Sequence, residues 1–112
     1  MKDKIIALLG LARRANRIVL GETILETLSK GKIHFIFIAS DASEKTKERY
    51  LKKCHYYHLN YCLDFSSDEL AVAIGRSNVK TIGIIDEGFS KAMNKELEGG
   101  CNYGETSEEE NK

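Results

Sequence analysis

Two short apolar runs, Phe35-Ile36-Phe37-Ile38-Ala39 and Thr81-Ile82-Gly83-Ile84-Ile85, most constrain what this chain can fold into. Neither alternates with polar residues. A strand with one face in water shows a period of two, so these β-branched and aromatic runs belong to strands covered on both faces. Covering both faces takes helices, and the flanking sequence supplies them. Ile5, Leu8, Leu9 and Ala12 recur at helical spacing and predict a helix over residues 3–14, with Arg13 and Arg14 at the negative end of its dipole. Ile24, Leu25 and Leu28 mark a second helix, opened by Gly21 and ending near Lys30-Gly31. Tyr50, Leu51, Cys54 and Tyr57 mark a third. Leu70, Ala71, Ala73 and Ile74, stopped by Gly75, mark a fourth, and Phe89, Met93 and Leu97 a fifth. Ile18-Val19-Leu20 and Leu59 to Leu63 suit short strands. Asp41 with Glu44 and Ser66 with Glu69 have capping-box spacing, and Asp86 is placed to cap the last helix.

The resulting order, α-β-α-β-α-β-α-β-α, predicts a single α/β domain: a three-layer α/β/α sandwich around a mostly parallel four-stranded central sheet. At 112 residues one domain is expected. It is assigned to residues 1–98. Residues 99–112 follow as a Gly-containing acidic tail, expected to be disordered, because Glu105 to Lys112 has no apolar residue to bury. No apolar run approaches the length of a membrane span, and Asp3 with Arg13-Arg14 interrupts any secretory signal, so a soluble cytoplasmic protein is expected. Cys54, Cys62 and Cys101 cannot all pair within one chain and are expected as thiols.

The formal charge of zero, from 17 Lys plus Arg against 17 Asp plus Glu, taken alone argues against a nucleic-acid partner. It is a cancellation. Residues 1–62 carry +6 and residues 63–112 carry −6, and without the terminal segment residues 1–104 carry +3. That body leaves room for an anionic partner.

Cys54-His55, His58 and Cys62 are the most metal-like group, but Cys54 lies on an apolar stripe and Cys62 falls in or beside the next strand, so a buried small hydrophobe is the better reading. Neither a Gly-x-Gly-x-x-Gly nor a Walker phosphate loop occurs, and no nucleophile–base pairing can be argued from spacing. No enzyme, cofactor, metal or small-molecule substrate is expected. Arg13, Arg14 and Arg17 flank the first strand, Lys30 and Lys32 close the second helix, and Arg76 adds a later charge. Gly21 opens its helix with free N–H groups suited to phosphate. On charge alone these residues either contact RNA or solvate helix ends, and the balance tips slightly to the second. Lys45, Lys47, Arg49, Lys52 and Lys53 read as the solvated face of the third helix.

Four blocks in order carry more. Leu8-Leu9-Gly10-Leu11-Ala12-x-Arg14-Ala15 with Ile18-Val19-x-Gly21-Glu22 is the first. Asp41-Ala42-Ser43 with Thr46, Lys52-Lys53-Cys54 and Tyr56-Tyr57 follows, then Glu69-Leu70 with Ala73-Ile74-Gly75-Arg76-Ser77, then Asp86-x-Gly88-Phe89-x-Lys91. Over roughly residues 4–97 the chain resembles the YlxQ-like proteins, the bacterial branch of the kink-turn-binding ribosomal protein superfamily of the archaeal seven-Ae type. The resemblance implies an α/β/α sandwich and a non-catalytic protein that binds structured RNA, ribosomal RNA or kink-turn RNA, near the ribosome. It implies a grip by the first turn of the second helix, where a Gly-x-Asn-Glu-x-x-Lys motif reads sheared G·A pairs, and by a late loop.

Counting back from Gly31, this chain has Glu22, Thr23 and Glu26 where that motif has Asn, Glu and Lys, in a segment one residue shorter. By position the resemblance carries over Gly21, Glu22, Thr23 and Lys30 from the helix, and Gly75, Arg76, Ser77, Asn78 and Val79 from the loop. Arg14, Arg17 and Lys32 join them on charge. The reversal at Glu26 motivates a second expectation, a protein–protein interaction module on the same fold with weakened RNA binding.

Overall fold

The computed structural model describes residues 2–97. The acidic tail expected at residues 99–112 and Cys101 lie outside the described residues. The elements follow the order read from periodicity: α1 (Lys2–Arg14), β1 (Ile18–Leu20), α2 (Glu22–Ser29), β2 (Phe35–Ile38), α3 (Glu44–Tyr57), β3 (Asn60–Cys62), α4 (Ser67–Ile74), β4 (Thr81–Ile84) and α5 (Glu87–Glu96). Every residue of β2 and β4 is buried, as their unalternating sequences require. Helix α1 packs against α4 and α5, and α5 against β4, while α2 lies on β1 and α3 on β2 and β3.

The four strands form one sheet in the order β1-β4-β2-β3, and that sheet is mixed, not mostly parallel. Only β2 and β3 pair in parallel; β4 lies between β1 and β2 and runs antiparallel to both. The cause is where the β3-to-β4 connection starts and ends. Ser40 N–H donates to the Phe65 carbonyl and Ala39 N–H to the Lys80 carbonyl, both at 2.8 Å. Both ends of the connection are thus fastened just beyond β2, so β4 starts where β2 stops and must run back. Alternation of strands and helices does not encode that return.

Gly83, at the centre of β4, lets the layers close. A Cβ there would sit 3.0 Å from both Ile33 Cδ1 and Val19 Cγ2, and 3.3 Å from Ile24 Cγ1 of α2. Phe37 lies against Phe35 with ring centroids 4.9 Å apart, and edge-on to Phe65 at 5.9 Å. All three rings are buried.

The caps follow the sequence with one correction. Ser66 and Glu69 form the reciprocal capping box on α4, and the Asp86 carboxylate accepts from Phe89 N–H at the start of α5. Asp41 does not cap α3; the Ser43 hydroxyl oxygen does, accepting from Thr46 N–H. The Asp41 carboxylate instead accepts from the Ser67 hydroxyl at 2.7 Å and the Ser67 N–H at 2.8 Å, tying the β2–α3 turn to the start of α4. Sequence spacing could not show a partner 26 residues away.

Those bonds favour the charged carboxylate, so the Ser67 hydroxyl first, then the Ser67 N–H, with Lys80 adding attraction, hold Asp41 below its ordinary pKa of 3.8. A lowered folded-state pKa contributes stability that is present above the unfolded value and lost as pH falls through the folded one. Asp41→Asn should therefore lower the denaturant midpoint at pH 7, and its deficit should shrink steadily as pH drops below 3.8. A deficit independent of pH in urea titrations would show that the charge has no part in the contact.

Candidate nucleic-acid interface

The direction of β4 decides which loops meet. Leu20 pairs with Ile82, Ile38 with Thr81 and Phe37 with Cys62, so β1, β2 and β3 all end where β4 begins. The β1–α2 turn and the α4–β4 loop therefore share one end of the sheet. A cleft of about 370 Å³ there is lined by Leu20, Gly21 and the run Arg76, Ser77, Asn78, Val79, Lys80 and Thr81. A second cleft of about 620 Å³ shares Leu20 and Arg76 and adds Arg13, Arg14, Asn16 and Thr23. The two form one continuous surface.

Local conformation shapes each wall. Gly21 has φ +56° and ψ −133°, backbone that side-chain-bearing residues rarely adopt, and so turns the chain sharply from β1 into α2. It has no side chain to cap the helix, and the leading N–H groups of α2 receive no side-chain cap, an arrangement suited to a negative group. Gly75 closes α4 in the left-handed conformation, and Asn78 adopts positive φ in the loop beyond. Arg13 and Arg14 end α1 beside the same cleft.

Of the residues singled out from the sequence, Arg14, Gly21, Thr23, Arg76, Ser77, Asn78 and Val79 line these clefts. Val79 does so through its backbone, because its side chain is in the core. Glu22 stands at the start of α2, 82% exposed, with its carboxylate 3.7 Å from the Arg49 guanidinium. Gly75 lies one residue before the lining run. The remaining three sit elsewhere. Lys30 and Lys32 follow the far end of α2, where Lys30 is its C-cap. Arg17 precedes β1 at the opposite end of that strand, its Nε 3.9 Å from the Asp86 carboxylate. Lys80 and Asn16 line the clefts without having been singled out. Lys80 directly precedes an apolar strand run, and its position becomes significant only once that strand is known to start at the Gly21 end.

The cysteines occupy a different environment. Cys54 and Cys62 are buried, and burial pushes the Cys54 thiol up to about 12, holding it protonated. His58 is the left-handed C-cap of α3, and His55 meets Tyr61 edge-on. Among the described residues, no group of three or more His, Cys, Asp or Glu side chains could hold a metal ion, and no helix is long and apolar enough to cross a membrane.

Comparison with known proteins agrees with this architecture. Residues 3–94 match the pattern of the Ribosomal protein L7Ae/L30e/S12e/Gadd45 family. The chain is 35% identical over 99 residues to RNA-binding protein YlxQ of Enterococcus faecium, covering 88% of this chain and 95% of that one. To RNA-binding protein YlxQ of Bacillus subtilis (strain 168) it is 30% identical over 87 residues, covering 77% and 87%. Among solved structures, a protein with unknown function from Bacillus halodurans C superposes with a TM-score of 0.79 at 32% identity, covering 82% of this chain and 94% of that one. The 15.5kD RNA binding protein of Giardia lamblia superposes with a TM-score of 0.70 at 19% identity, covering 84% of each, which is a likeness of fold alone.

Proposed function

The chain belongs to the Ribosomal protein L7Ae/L30e/S12e/Gadd45 family, and from that premise we propose that it is a non-catalytic RNA-binding protein whose ligand docks at the shared end of the sheet. The observation that carries this reading is the meeting of the Gly21 turn, the Arg76–Lys80 loop and the arginines ending α1. Backbone donors at a helix start and cations on two flanking walls suit a bent phosphate backbone, with side chains left to read a groove. The fold of the ligand matters more than its charge density, because structured RNA is recognised through groove shape and 2′-hydroxyls. Kink-turn RNA, in ribosomal RNA or elsewhere in the cytoplasm, is the ligand class we assign. Arg14, Gly21, Thr23 and Arg76 form the centre of the interface, with Glu22, Gly75, Ser77, Asn78 and Val79 around it. Arg17, Lys30 and Lys32 are peripheral.

Titration into a labelled kink-turn RNA and a straight duplex of equal length, over a range of salt, tests the proposal. Saturable binding that prefers the kink-turn is expected; equal binding to both would overturn it. Glu26 offers a sharper variant. It is exposed on α2 one turn from Glu22, so its carboxylate repels any phosphate that reaches the helix start. Glu26→Lys replaces repulsion by attraction and should tighten kink-turn binding about five- to tenfold, with a steeper salt dependence. If neither the wild type nor this variant binds RNA saturably, the fold serves here as a protein–protein interaction module.

A further inference from the structure

We propose that the outer stripe of α3 is a second RNA contact, holding a strand that runs on from the Gly21 site. The inference rests on the RNA-binding reading above and extends it to a surface on the neighbouring helix. Lys45, Arg49, Lys52 and Tyr56 recur at i, i+4, i+7 and i+11, with Lys53 alongside. That spacing places them along one face, about 16 Å from end to end at ~1.5 Å per residue. All five are exposed and share one open surface groove with Glu48, the carboxylate on the stripe. Among the described residues, Lys45, Lys52 and Lys53 have no carboxylate within ion-pair distance.

Tyr56 is the informative residue. It is 76% exposed, and its ring meets Tyr57 edge-on with centroids 4.8 Å apart, which braces it in an outward position. A solvated helix face needs lysines but gains nothing from an outward tyrosine among them. A nucleic-acid strand uses both, cations for phosphates and an aromatic face for an unpaired base. The stripe is also joined to the first site: Tyr50 Oη donates to the Gly21 carbonyl at 3.2 Å, and Arg49 lies 3.7 Å from Glu22. A strand leaving the α2 start therefore meets Arg49 first and reaches Tyr56, about 10 Å further along the helix at ~1.5 Å per residue, after about three base steps of ~3.4 Å.

The test uses the full chain and two probes, a kink-turn RNA with minimal stems and the same RNA carrying ten single-stranded uridines at each end. The wild type should bind the extended probe more tightly. Lys52→Gln combined with Lys53→Gln should lose that gain and flatten the salt slope by about 1.4, near 0.7 per lost contact to a single strand. Tyr56→Ala should weaken the extended probe at least about fivefold and leave the minimal probe unchanged, while Tyr56→Phe keeps the stack. Melting temperatures equal to wild type verify that the variants fold. Wild-type-like binding of both probes by the α3 variants, or no gain from the extensions, overturns the proposal and assigns the stripe to another partner. If instead the α3 variants lose the extended probe while charge reversal at Arg14 and Arg76 changes nothing, the stripe stands and the Gly21 site falls.

Discussion

Charge reversal at both Arg14 and Arg76 is expected to weaken kink-turn RNA binding at least about a hundredfold at moderate salt. Each arginine lines the cleft that joins the α1 terminus to the α2 start, and each comes from a different element, so one RNA backbone crossing that end touches both. A charge-assisted contact contributes about 1.5–3 kcal/mol, and replacing the cation by a carboxylate adds repulsion to the loss. Two such contacts correspond to at least two powers of ten, and the salt slope should flatten by close to 2. Single reversals should each show part of the effect. Arg17→Glu should show less than either, because Arg17 stands at the other end of β1 beside Asp86. Filter-binding or anisotropy titrations over several salt concentrations read both quantities. Affinity within threefold of wild type for the double variant would remove this cleft from the interface.

The second large effect is on stability. Phe37 lies on β2, between β4 and β3 in the sheet, is fully buried and packs on Phe35 and Phe65. Phe65 belongs to the connection that sends β4 back, so Phe37 joins the centre of the sheet to the segment that sets its topology. Phe37→Ala removes a ring and leaves a cavity that rigid strands cannot close, a change that costs about 3–5 kcal/mol. Against a typical total of about 5–15 kcal/mol this is a large share. The melting temperature should fall by on the order of 12–40 °C at ~4–8 °C per kcal/mol for a domain of this size. Val72→Ala, at a side chain 77% exposed on α4, is the control and should move it by no more than about 2 °C. A fall below about 5 °C for Phe37→Ala would contradict the packing described for the sheet centre.

The elements were legible in the sequence because each carries its own periodicity: Ile5 to Ala12 at helical spacing, Phe35 to Ala39 with no alternation, Ser66 and Glu69 three apart. What was not legible depends on partners far along the chain. The direction of β4 is set by backbone bonds from Ala39 and Ser40 to Lys80 and Phe65, and the role of Asp41 by Ser67. The same limit applies to the candidate interface. Gly21 and Arg76 were both recognisable, one as a helix opener and one as a loop cation, but a mostly parallel sheet would have put the α4–β4 loop at the opposite end from Gly21. The antiparallel β4 brings them together. Charge alone could not separate Arg14, which lines the cleft, from Lys30 and Lys32, which follow the far end of α2.

The central claim, that RNA docks where the β1–α2 turn meets the α4–β4 loop, is tested most directly by backbone amide shifts of the isotope-labelled protein on titration with a kink-turn RNA. The largest saturable shifts should fall at Gly21, Thr23 and residues 76–80, with Arg13 and Arg14 next and little change at Lys30 and Lys32. Shifts concentrated at Lys30, Lys32 and the α5 face, with the Gly21 turn and the Arg76 loop unmoved, would contradict it.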